Sequence, residues 1–405
     1  MSLRPTSLSL PRRYRHSCSP IYIIRSTHTH KVDIKAMRLT FTLRLLLMLT
    51  LMHLIPCLAN NRVAAQGLFV PATDRHICYI GRTCIDPNGH VLFSYPGTQA
   101  VVSFSGTSLK MVVKPHSGYF MVQIDDAAPQ KVSCMAETDS IISLAESLSC
   151  GNHIARIMYA VEGYDLHPAF HGFIVDAGST LTDSPQQPAR RIEFIGDSMT
   201  CGYGNEDDDP KNPFSYDTEN HYHTYAAITA RRLNAQHVVV ARSGIGIYRN
   251  WGQPLEGSPD AMPAIYDRTL FYDSTYVWDY TRYTPQVVCI NLGTNDTSQQ
   301  RYDTTRMSAA YKAFVEHVRA KYPEAKIVLL SGSMLSGKSL ADVRAAMDKA
   351  VAALRSEGDN EVYRFDMSPQ DGSLGYGANY HPSLRQHERM ATELTAFLRT
   401  LMQWQ

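Results

Sequence analysis

The sequence predicts an all-β sandwich followed by an α/β domain in which a parallel sheet lies between two layers of helices. Three observations predict this order: short β-like runs between Gly67 and Asp176, a polar segment with prolines at 182–191, and alternating strands and helices from Ile192 onward. A chain of 405 residues is also long for one ordinary domain, which agrees with two.

The first domain, residues 67–181, is predicted from runs that mix β-branched and aromatic residues with polar alternation. These runs are HVLFSY, AVVSFSG, SLKMVVK, YFMVQID, ARIMYAV and FHGFIVD. Turn residues such as Pro96 and Gly97 separate them, and no helical periodicity lies between them. This spacing is typical of an antiparallel sandwich or jelly roll. The segment ETDSIISLAESLS fits either a helical turn or a loop.

The polar segment 182–191 is predicted to be a linker. In the domain after it, residues 192–405, predicted strands alternate with predicted helices. Predicted strands are IEFIGD, HVVVARSG, PQVVCINLG, KIVLLSG and VYRFDMS. Predicted helices are TYAAITARRLNA, MSAAYKAFVEHVRAKY, LADVRAAMDKAVAALRSEG and LRQHERMATELTAFLRTLM. Because the strands are continuously apolar, we expect a parallel sheet that is buried on both faces.

The N-terminal 65 residues are predicted to lie outside the fold. From Met37, two arginines precede an apolar run at 45–55, and small residues follow, which is the layout of a secretory signal peptide at 37–65. The run is shorter than the roughly 20 residues that span a bilayer, so no stable membrane insertion is expected after signal removal. A membrane anchor or a buried helix is the alternative. Residues 1–36 are either an upstream extension before the true start at Met37 or an organelle-targeting segment.

The net charge and the cysteines indicate which partners, disulfides and metal sites to expect. A formal net charge of +1 argues against a nucleic-acid partner. Export to a secreted or periplasmic location permits disulfides, and Cys78 with Cys84 and Cys134 with Cys150 are plausible pairs among fifteen connectivities. Cys289 fits equally well as a buried free thiol. No C-x-x-C pair is present, so the sequence offers little support for a zinc or redox site.

Four loops at predicted strand ends carry groups that can act together. Parallel sheets bind ligands at the carboxyl ends of their strands, where IEFIGDSMTCGYGNE places Ser198, VVVARSGIGIYRNWG places Gly244 and VVCINLGTNDT places Asn295. The loop GYGANYHPS adds His381. A serine hydroxyl needs a base such as neutral histidine, and attack on an ester needs donors for the developing oxyanion. Taken singly, such residues are more often helix caps or surface residues.

The strings GDSMT, SG, GTND and the terminal HP together resemble the four blocks of the SGNH (GDSL-type) hydrolases. IEFIGDSMTCGYGNE, HTYAAITARRLNA, SGIGIYRNW and YHPS are similar to carbohydrate esterase family two, whose members join an N-terminal jelly roll to an SGNH domain. The resemblance implies that Ser198 is the nucleophile and His381 the general base. It also implies an oxyanion hole of Ser198, Gly244 and Asn295. Gly244 is expected rather than Gly246, because the family's glycine directly follows the serine of that block.

The sequence departs from the superfamily beside the histidine. The superfamily carries an aspartate three residues before it, where this chain has Ala378, and many relatives in the family have aspartate where this chain has Asn379. The imidazole still needs a group that fixes its tautomer. The resemblance implies that a backbone carbonyl can serve, which gives a Ser–His dyad. Asn379 is the alternative orienting group, through its amide oxygen.

The expected substrate is an acetylated polysaccharide or oligosaccharide, such as acetylated xylan or mannan, and no cofactor or metal is expected. Tyr248, Trp251 and Tyr380 are candidate sugar-binding residues, with burial in the core as the alternative for the first two. A lipase, thioesterase or arylesterase is the alternative enzyme. An inactive carbohydrate-binding protein and a metal-dependent deacetylase are further alternatives.

Two polar motifs invite a metal interpretation. The acidic run at 206–209 is more typical of a solvated loop than of a calcium site. His221 and His223 lack a carboxylate or cysteine at ligand spacing, so zinc binding there has little support.

Overall fold

A computed structural model describes residues 67–138 and 140–405, which belong to one compact unit. The extension and signal peptide predicted for residues 1–65 lie outside the described residues. In the described part of the chain, no helix combines the length and the apolar character needed to cross a bilayer.

The first half of the described chain forms two six-stranded antiparallel sheets. Their strands are β1 (Leu68–Pro71), β2 (Cys78–Ile80), β3 (Cys84–Ile85), β4 (Val91–Leu92), β5 (Gln99–Gly106), β6 (Leu109–Val113), β7 (Gly118–Ile124), β8 (Gln130–Cys134), β9 (Ser140–Ala145), β10 (Gly151–Tyr159), β11 (Ala169–Val175) and β12 (Leu181–Thr182). One sheet has the order β3-β4-β11-β6-β9 with β1 on β11, and the other has the order β12-β5-β10-β7-β8 with β2 on β5. Side chains from both sheets, including Phe104 and Phe173, share one buried core. The predicted sandwich is therefore confirmed.

The segment at 140–145 corrects an expectation. It is the strand β9, which pairs with β6, and it is neither a helical turn nor a loop. Isoleucine is a residue that suits strands, and Ile141 and Ile142 lie opposite Val112 and Met111 in the register.

The second half alternates strands and helices as the sequence predicts. Its parallel sheet contains β13 (Arg190–Gly196), β14 (Ala235–Ala241), β17 (Val287–Asn291), β18 (Lys326–Ser331) and β19 (Val362–Asp366), and a separate hairpin contains β15 (Arg268–Leu270) and β16 (Asp273–Val277). The helices are α1 (Ser198–Cys201), α2 (Tyr225–Arg232), α3 (Met262–Ile265), α4 (Thr304–Lys321), α5 (Gly337–Ser356) and α6 (Leu384–Met402). Helices α4 and α5 cover one face of the sheet and α2 and α6 cover the other. The three-layer α/β prediction is confirmed.

Side-chain caps start the helices where the sequence places polar residues. The Asp303 carboxylate accepts the N–H groups of Thr305 and Arg306 at the start of α4. Thr224 and Ser383 cap α2 and α6 in the same way. These side chains satisfy backbone donors that have no partner inside the helix.

The strand order places a crevice at one edge of the parallel sheet. The order is β14-β13-β17-β18-β19. Strand β13 therefore lies between β14, the next strand along the chain, and β17, which comes later in the chain. Connections that leave adjacent strands in opposite directions open a crevice beyond the strands' carboxyl ends. The residues after β13 and β17 are therefore the first place to look for a ligand site.

The segment predicted as a linker, 182–191, is tied to the sandwich. Its first residue ends β12, which pairs with β5. The Ser184 hydroxyl lies 2.6 Å from the carbonyl oxygen of His76 and 3.0 Å from that of Val101. Strand β13 then begins at Arg190.

A buried ion pair joins the two halves. Arg82, which follows β2, donates to a carboxylate oxygen of Glu193 in β13 at 2.9 Å, and both side chains have no exposed surface. The Arg82 guanidinium lies 4.8 Å from the centre of the Tyr266 ring and 5.5 Å from that of Trp278. Apolar residues from both halves, including Ile80 and Val238, pack nearby.

The two local disulfides considered plausible from the sequence are wrong. Cys78, Cys84 and Cys134 are free thiols. Cys150 is disulfide-bonded, but not to Cys134. Cys289 is a buried free thiol in the centre of the sheet, which was one of the two possibilities predicted from the sequence. Burial raises the pKa of this thiol.

Candidate active site

The strand β13 delivers Ser198 to the carboxyl edge of the sheet. The Asp197 carboxylate accepts the N–H of Met199 and caps the short helix α1, which begins at Ser198. The preceding Gly196 is required by packing, because a Cβ there would lie 2.0 Å from Thr200 Oγ1. Ser198 therefore sits at the start of a tight strand-to-helix turn with its hydroxyl directed toward the crevice side.

His381 reaches Ser198 from the loop before α6. The Nε2 atom of His381 lies 2.9 Å from Ser198 Oγ, although the two residues are 183 positions apart. The loop holds this position through main-chain bonds: Gly377 N–H donates to His381 O at 2.8 Å, and Ala378 N–H donates to Gly204 O at 3.0 Å.

The partner of the other ring nitrogen determines the tautomer. His381 Nδ1 lies 3.2 Å from the backbone oxygen of Ala378. A carbonyl oxygen only accepts, so the proton is on Nδ1 and Nε2 presents its lone pair to the Ser198 hydroxyl. Burial lowers the pKa of His381 to about 4, which keeps the imidazole neutral near pH 7.

The Asn379 side chain binds Tyr203. Its amide donates to Tyr203 Oη at 2.7 Å, whereas the alternative to a backbone carbonyl had the Asn379 amide oxygen accept from the imidazole. The Tyr203 ring in turn stacks on the His381 ring, with centroids 4.0 Å apart and planes at 23°. The Asn379 side chain therefore reaches His381 through Tyr203, whereas the Asn379 backbone interacts with the imidazole directly.

Gly244 and Asn295 lie in the same cleft as Ser198 and His381. Gly244 has a φ of +77°, a conformation that favours glycine. Asn295 Nδ2 donates to Ile245 O at 2.8 Å and lies 3.4 Å from an Asp197 carboxylate oxygen. Burial raises the pKa of Asp197 to about 7.

Gly244 and Gly246 have different surroundings in this loop. The N–H of Gly246 already donates to the Asn250 side chain at 3.1 Å. A Cβ on Gly246 would lie 1.9 Å from Arg249 O, so that glycine is required by the turn itself. Gly244 is the one that lines the cleft.

A buried aspartate that the sequence analysis did not single out shapes this loop. The Asp296 carboxylate accepts the N–H groups of Ile247, Tyr248 and Arg249 at distances between 2.8 and 2.9 Å. Its position directly after Asn295 in GTND is a signal that a closer reading of that block could have used. Asp296 therefore links the β17 loop to the β14 loop.

The cleft itself is large, and its lining mixes polar and apolar side chains. It has a volume of about 780 Å³, and its lining includes Ser198, Tyr203, Gly244, Trp251, Asn295 and His381. A second groove of about 940 Å³ shares Trp251 and Ser298 with it and continues past Gln253, Gln299 and Arg301. Trp251, with 69% of its surface exposed, stands where the two meet.

The other two aromatic candidates do not line the cleft. Tyr248 is buried in the hydrophobic core, and its hydroxyl accepts the N–H of Asp303 at 2.9 Å. Tyr380 is half exposed and packs edge-on against Tyr376. Of the three residues predicted for sugar binding, the structure brings only Trp251 into the cleft.

One group of possible metal ligands lies together among the described residues. Glu162, Cys201 and Glu219 are all buried, with their ligand atoms within 4.8 Å of one another. Two of their oxygens already accept main-chain N–H groups: Glu162 Oε2 from Ser243 at 2.8 Å, and Glu219 Oε2 from Glu162 at 3.1 Å. These two carboxylates therefore hold main-chain segments in place.

The polar motifs considered for metals also have protein partners. Glu206 pairs with Lys131 at 2.6 Å, and Asp207 accepts the N–H of Asp209 at 2.9 Å. His221 Nδ1 lies 2.7 Å from Thr200 O, and its Nε2 lies 3.1 Å from His237 Nε2.

Comparison with known proteins agrees with both halves of the fold. Residues 79–185 match the family model "Carbohydrate esterase 2 N-terminal", and residues 194–389 match "GDSL-like Lipase/Acylhydrolase family". A solved structure of a family two carbohydrate esterase from Clostridium thermocellum, in complex with cellohexaose, superimposes with a TM-score of 0.75 and is 36% identical, covering 81% of this chain and 100% of that one. The chain belongs to carbohydrate esterase family two. It is thus a carboxylic ester hydrolase.

Two curated relatives agree with this assignment to carbohydrate esterase family two. The Cellulase/esterase CelE of Acetivibrio thermocellus is 38% identical over 332 residues, which are 81% of this chain but 40% of CelE. The chain therefore spans less than half the length of that relative. An "Acetylxylan esterase / glucomannan deacetylase" of Cellvibrio japonicus is 29% identical, covering 83% of this chain and 91% of the relative.

Proposed function

We propose that this carbohydrate esterase removes O-acetyl groups from polysaccharides such as acetylated xylan or mannan, through a Ser198–His381 dyad. The observation that carries the proposal is the 2.9 Å contact between His381 Nε2 and Ser198 Oγ inside an open cleft. The names of the curated Cellvibrio relative and the cellohexaose in the related structure support a glycan substrate.

The proposed chemistry begins at the Ser198 hydroxyl. His381 Nε2 takes its proton as Oγ attacks the acetyl carbonyl carbon, and the N–H groups of Ser198 and Gly244 with the Asn295 amide hold the oxyanion. Collapse breaks the bond to the sugar oxygen, which receives the proton from His381. A water, deprotonated by His381, then attacks the acetyl-enzyme and releases acetate and free Ser198.

The Ala378 carbonyl is proposed to replace the missing aspartate. By accepting from Nδ1 it fixes the tautomer that the reaction needs. A neutral carbonyl stabilises the imidazolium less than a carboxylate would. The stacked Tyr203 ring adds a partner for the imidazolium face, since aromatic faces attract cations.

The shape of the cleft favours a glycan over a long acyl chain. The cleft continues into a groove lined by glutamine and arginine side chains, and Trp251 offers a flat ring between them. Glutamine and arginine side chains can hydrogen-bond sugar hydroxyls, which an acyl chain lacks. A lipase, thioesterase or arylesterase activity is the alternative.

Acyl-chain preference tests the substrate proposal. Wild-type protein is expected to release acetate from acetylated xylan or glucomannan and to lose activity on nitrophenyl esters longer than acetate. Ser198→Ala is the control for background hydrolysis. Higher kcat/KM on nitrophenyl octanoate than on the acetate, with no acetate from either glycan, would replace the proposal with the lipase alternative. Wild-type protein that hydrolyses no ester and leaves Ser198 unlabelled by a fluorophosphonate would indicate the inactive binding protein.

We also propose that the chain is exported, with the segment 37–65 as its signal peptide. The support is the sequence layout of that segment. N-terminal sequencing of the protein secreted by a host that expresses the full chain tests this, since the proposal expects a mature N-terminus near residue 66.

The pH dependence of kcat/KM should report the lowered pKa of His381. The base works only when neutral, so activity is lost as pH falls through its pKa. We expect the acid limb near pH 4 rather than near the ordinary histidine value of 6.5. Initial rates on nitrophenyl acetate between pH 3.5 and 8 measure it, with circular dichroism at each pH as the control for unfolding. A limb at pH 6.5 in folded protein would contradict the expectation.

Asn379→Ala is expected to keep most of the activity. The change removes the hydrogen bond to Tyr203 Oη, but the stacking of Tyr203 on His381 and the bond from Nδ1 to Ala378 O remain. We expect kcat to fall less than about 10-fold, on the order of one lost hydrogen bond. The comparison is with His381→Ala under the same conditions, and an equally large loss would show that Asn379 is essential.

A further inference from the structure

A carboxylate from the sandwich half reaches the loop that carries Gly244. Glu162 follows β10, and its Oε2 accepts the backbone N–H of Ser243 at 2.8 Å. The Glu162 side chain is buried, with 6% of its surface exposed. Ser243 and Gly244 both line the cleft that contains Ser198.

We infer that Glu162 is a positioning residue for the oxyanion hole, so that the sandwich domain completes the catalytic site of the other domain. Holding Ser243 N–H restricts the backbone torsions of Ser243 and thereby the direction of the next N–H, that of Gly244. The inference rests on the proposed function, in which Gly244 N–H binds the oxyanion.

Side-chain packing does not restrain Gly244, because a Cβ built there would find only Trp251 Cβ, at 3.9 Å. The Gly244 carbonyl accepts the N–H of Trp251 at 2.8 Å, but the direction of the Gly244 N–H is set by the peptide that joins it to Ser243. The far end of the loop is fixed by Asp296, which holds three successive N–H groups from Ile247 onward. Glu162 holds the start of the loop at Ser243 N–H. Along the chain, Gly244 therefore lies between the residue held by Glu162 and those held by Asp296.

Glu162 is itself held in place and contacts the nucleophile's helix. Its own backbone N–H donates to Glu219 Oε2 at 3.1 Å. The Cys201 thiol, in the helix that begins at Ser198, lies 3.8 Å from the same Glu162 oxygen that binds Ser243. One carboxylate oxygen therefore touches both the helix of the nucleophile and the loop of the proposed oxyanion donor.

The expected effect is on the transition state. Removing an oxyanion donor outright costs about 10²–10³-fold in kcat, and a donor that is present but misdirected should cost less, about 10–100-fold. The oxyanion forms only after attack, so KM for an acetyl ester should change little. A general loss of packing would instead lower the amount of folded protein and leave kcat per folded molecule intact.

Two substitutions separate these effects. Glu162→Met keeps the volume but removes the acceptor, and Glu162→Gln keeps a neutral acceptor oxygen. With active sites counted by fluorophosphonate titration, we expect kcat on nitrophenyl acetate to fall about 10–100-fold in the Met variant and about 5-fold in the Gln variant, with KM within about 2-fold of wild type. Glu193→Gln is the matched control, because it alters a buried carboxylate that contacts Arg82 and Tyr266 rather than the loop. It should lower stability and keep kcat.

The outcomes are separable from failure of the proposed function. Wild-type protein without esterase activity would reject the function itself. Active wild type with a folded Met variant whose kcat is within 2-fold would overturn the inference alone. If the Met variant does not fold, Glu162→Leu, which also lacks the acceptor, decides, and a kcat per titrated active site within 2-fold of wild type would then overturn the inference.

Discussion

Ser198→Ala and His381→Ala are each expected to reduce kcat on acetyl esters by about 10⁴-fold or more. The reason is the single contact at 2.9 Å between Ser198 Oγ and His381 Nε2. Without the hydroxyl no acyl-enzyme forms, and without the imidazole the hydroxyl keeps its proton. Acetate release and nitrophenol release, measured on protein whose fold is checked by circular dichroism, give the loss directly.

The double variant tests whether the two side chains act as one unit. Residues of a catalytic unit are strongly non-additive, since removing either already removes the covalent route. Ser198→Ala/His381→Ala should therefore be no slower than the slower single variant, within about 3-fold. Losses that multiply would show that the two act independently, and a His381→Ala variant that keeps 10% of wild-type activity would place the base elsewhere.

The fluorophosphonate reaction provides an independent measurement of the same pair. Wild-type protein should be labelled at Ser198, and His381→Ala should be labelled far more slowly because the hydroxyl is no longer activated. Tyr203→Phe is a useful control, since it keeps the ring that stacks on His381 and removes only the hydroxyl that Asn379 binds. It should label at a rate close to wild type.

The sequence was informative about the parts of the fold with strong local patterns. Continuous apolar runs predict the parallel strands, and long amphipathic segments predict the helices. The short strands of two to four residues, such as β3 and β12, were missed because two residues cannot show a period. The β9 segment was ambiguous for a different reason: its strand character depends on pairing with β6 rather than on its own sequence.

Site residues at strand ends could be predicted from the sequence, whereas those placed by long-range packing could not. Ser198, Gly244 and Asn295 follow strands, and the topology of a parallel sheet brings strand ends together. Glu162 was missed because its role depends on how the two halves pack, across 81 positions to Ser243. The sequence left Tyr248 open between the cleft and the core, because the pattern of the loop does not tell which aromatic turns inward. In the structure Tyr248 lies in the core, and Asp296 accepts its backbone N–H.

The packing between the halves leads to the second large expected effect: Arg82→Met should destabilise the fold by about 3–5 kcal/mol at neutral pH. Arg82 and Glu193 are both fully buried, so removing the guanidinium leaves a carboxylate without its main partner. The midpoint of urea unfolding measures the change. Arg82→Met/Glu193→Met, which removes both charges, should recover most of the loss, because no orphan charge remains.

The destabilisation by Arg82→Met should also depend on pH in a defined direction. Burial raises the pKa of Glu193, while the Arg82 charge opposes that rise, so the variant raises this pKa further. A carboxyl with a raised pKa in the folded state binds its proton more readily folded than unfolded, and neutralisation removes the orphan charge. The stability difference between wild type and Arg82→Met should thus be largest above the raised pKa and shrink as pH falls toward 4.5, the ordinary pKa of a glutamate side chain. A difference that stays constant between pH 8 and pH 5 would mean that lost packing on Tyr266, rather than the unpaired charge, accounts for the effect.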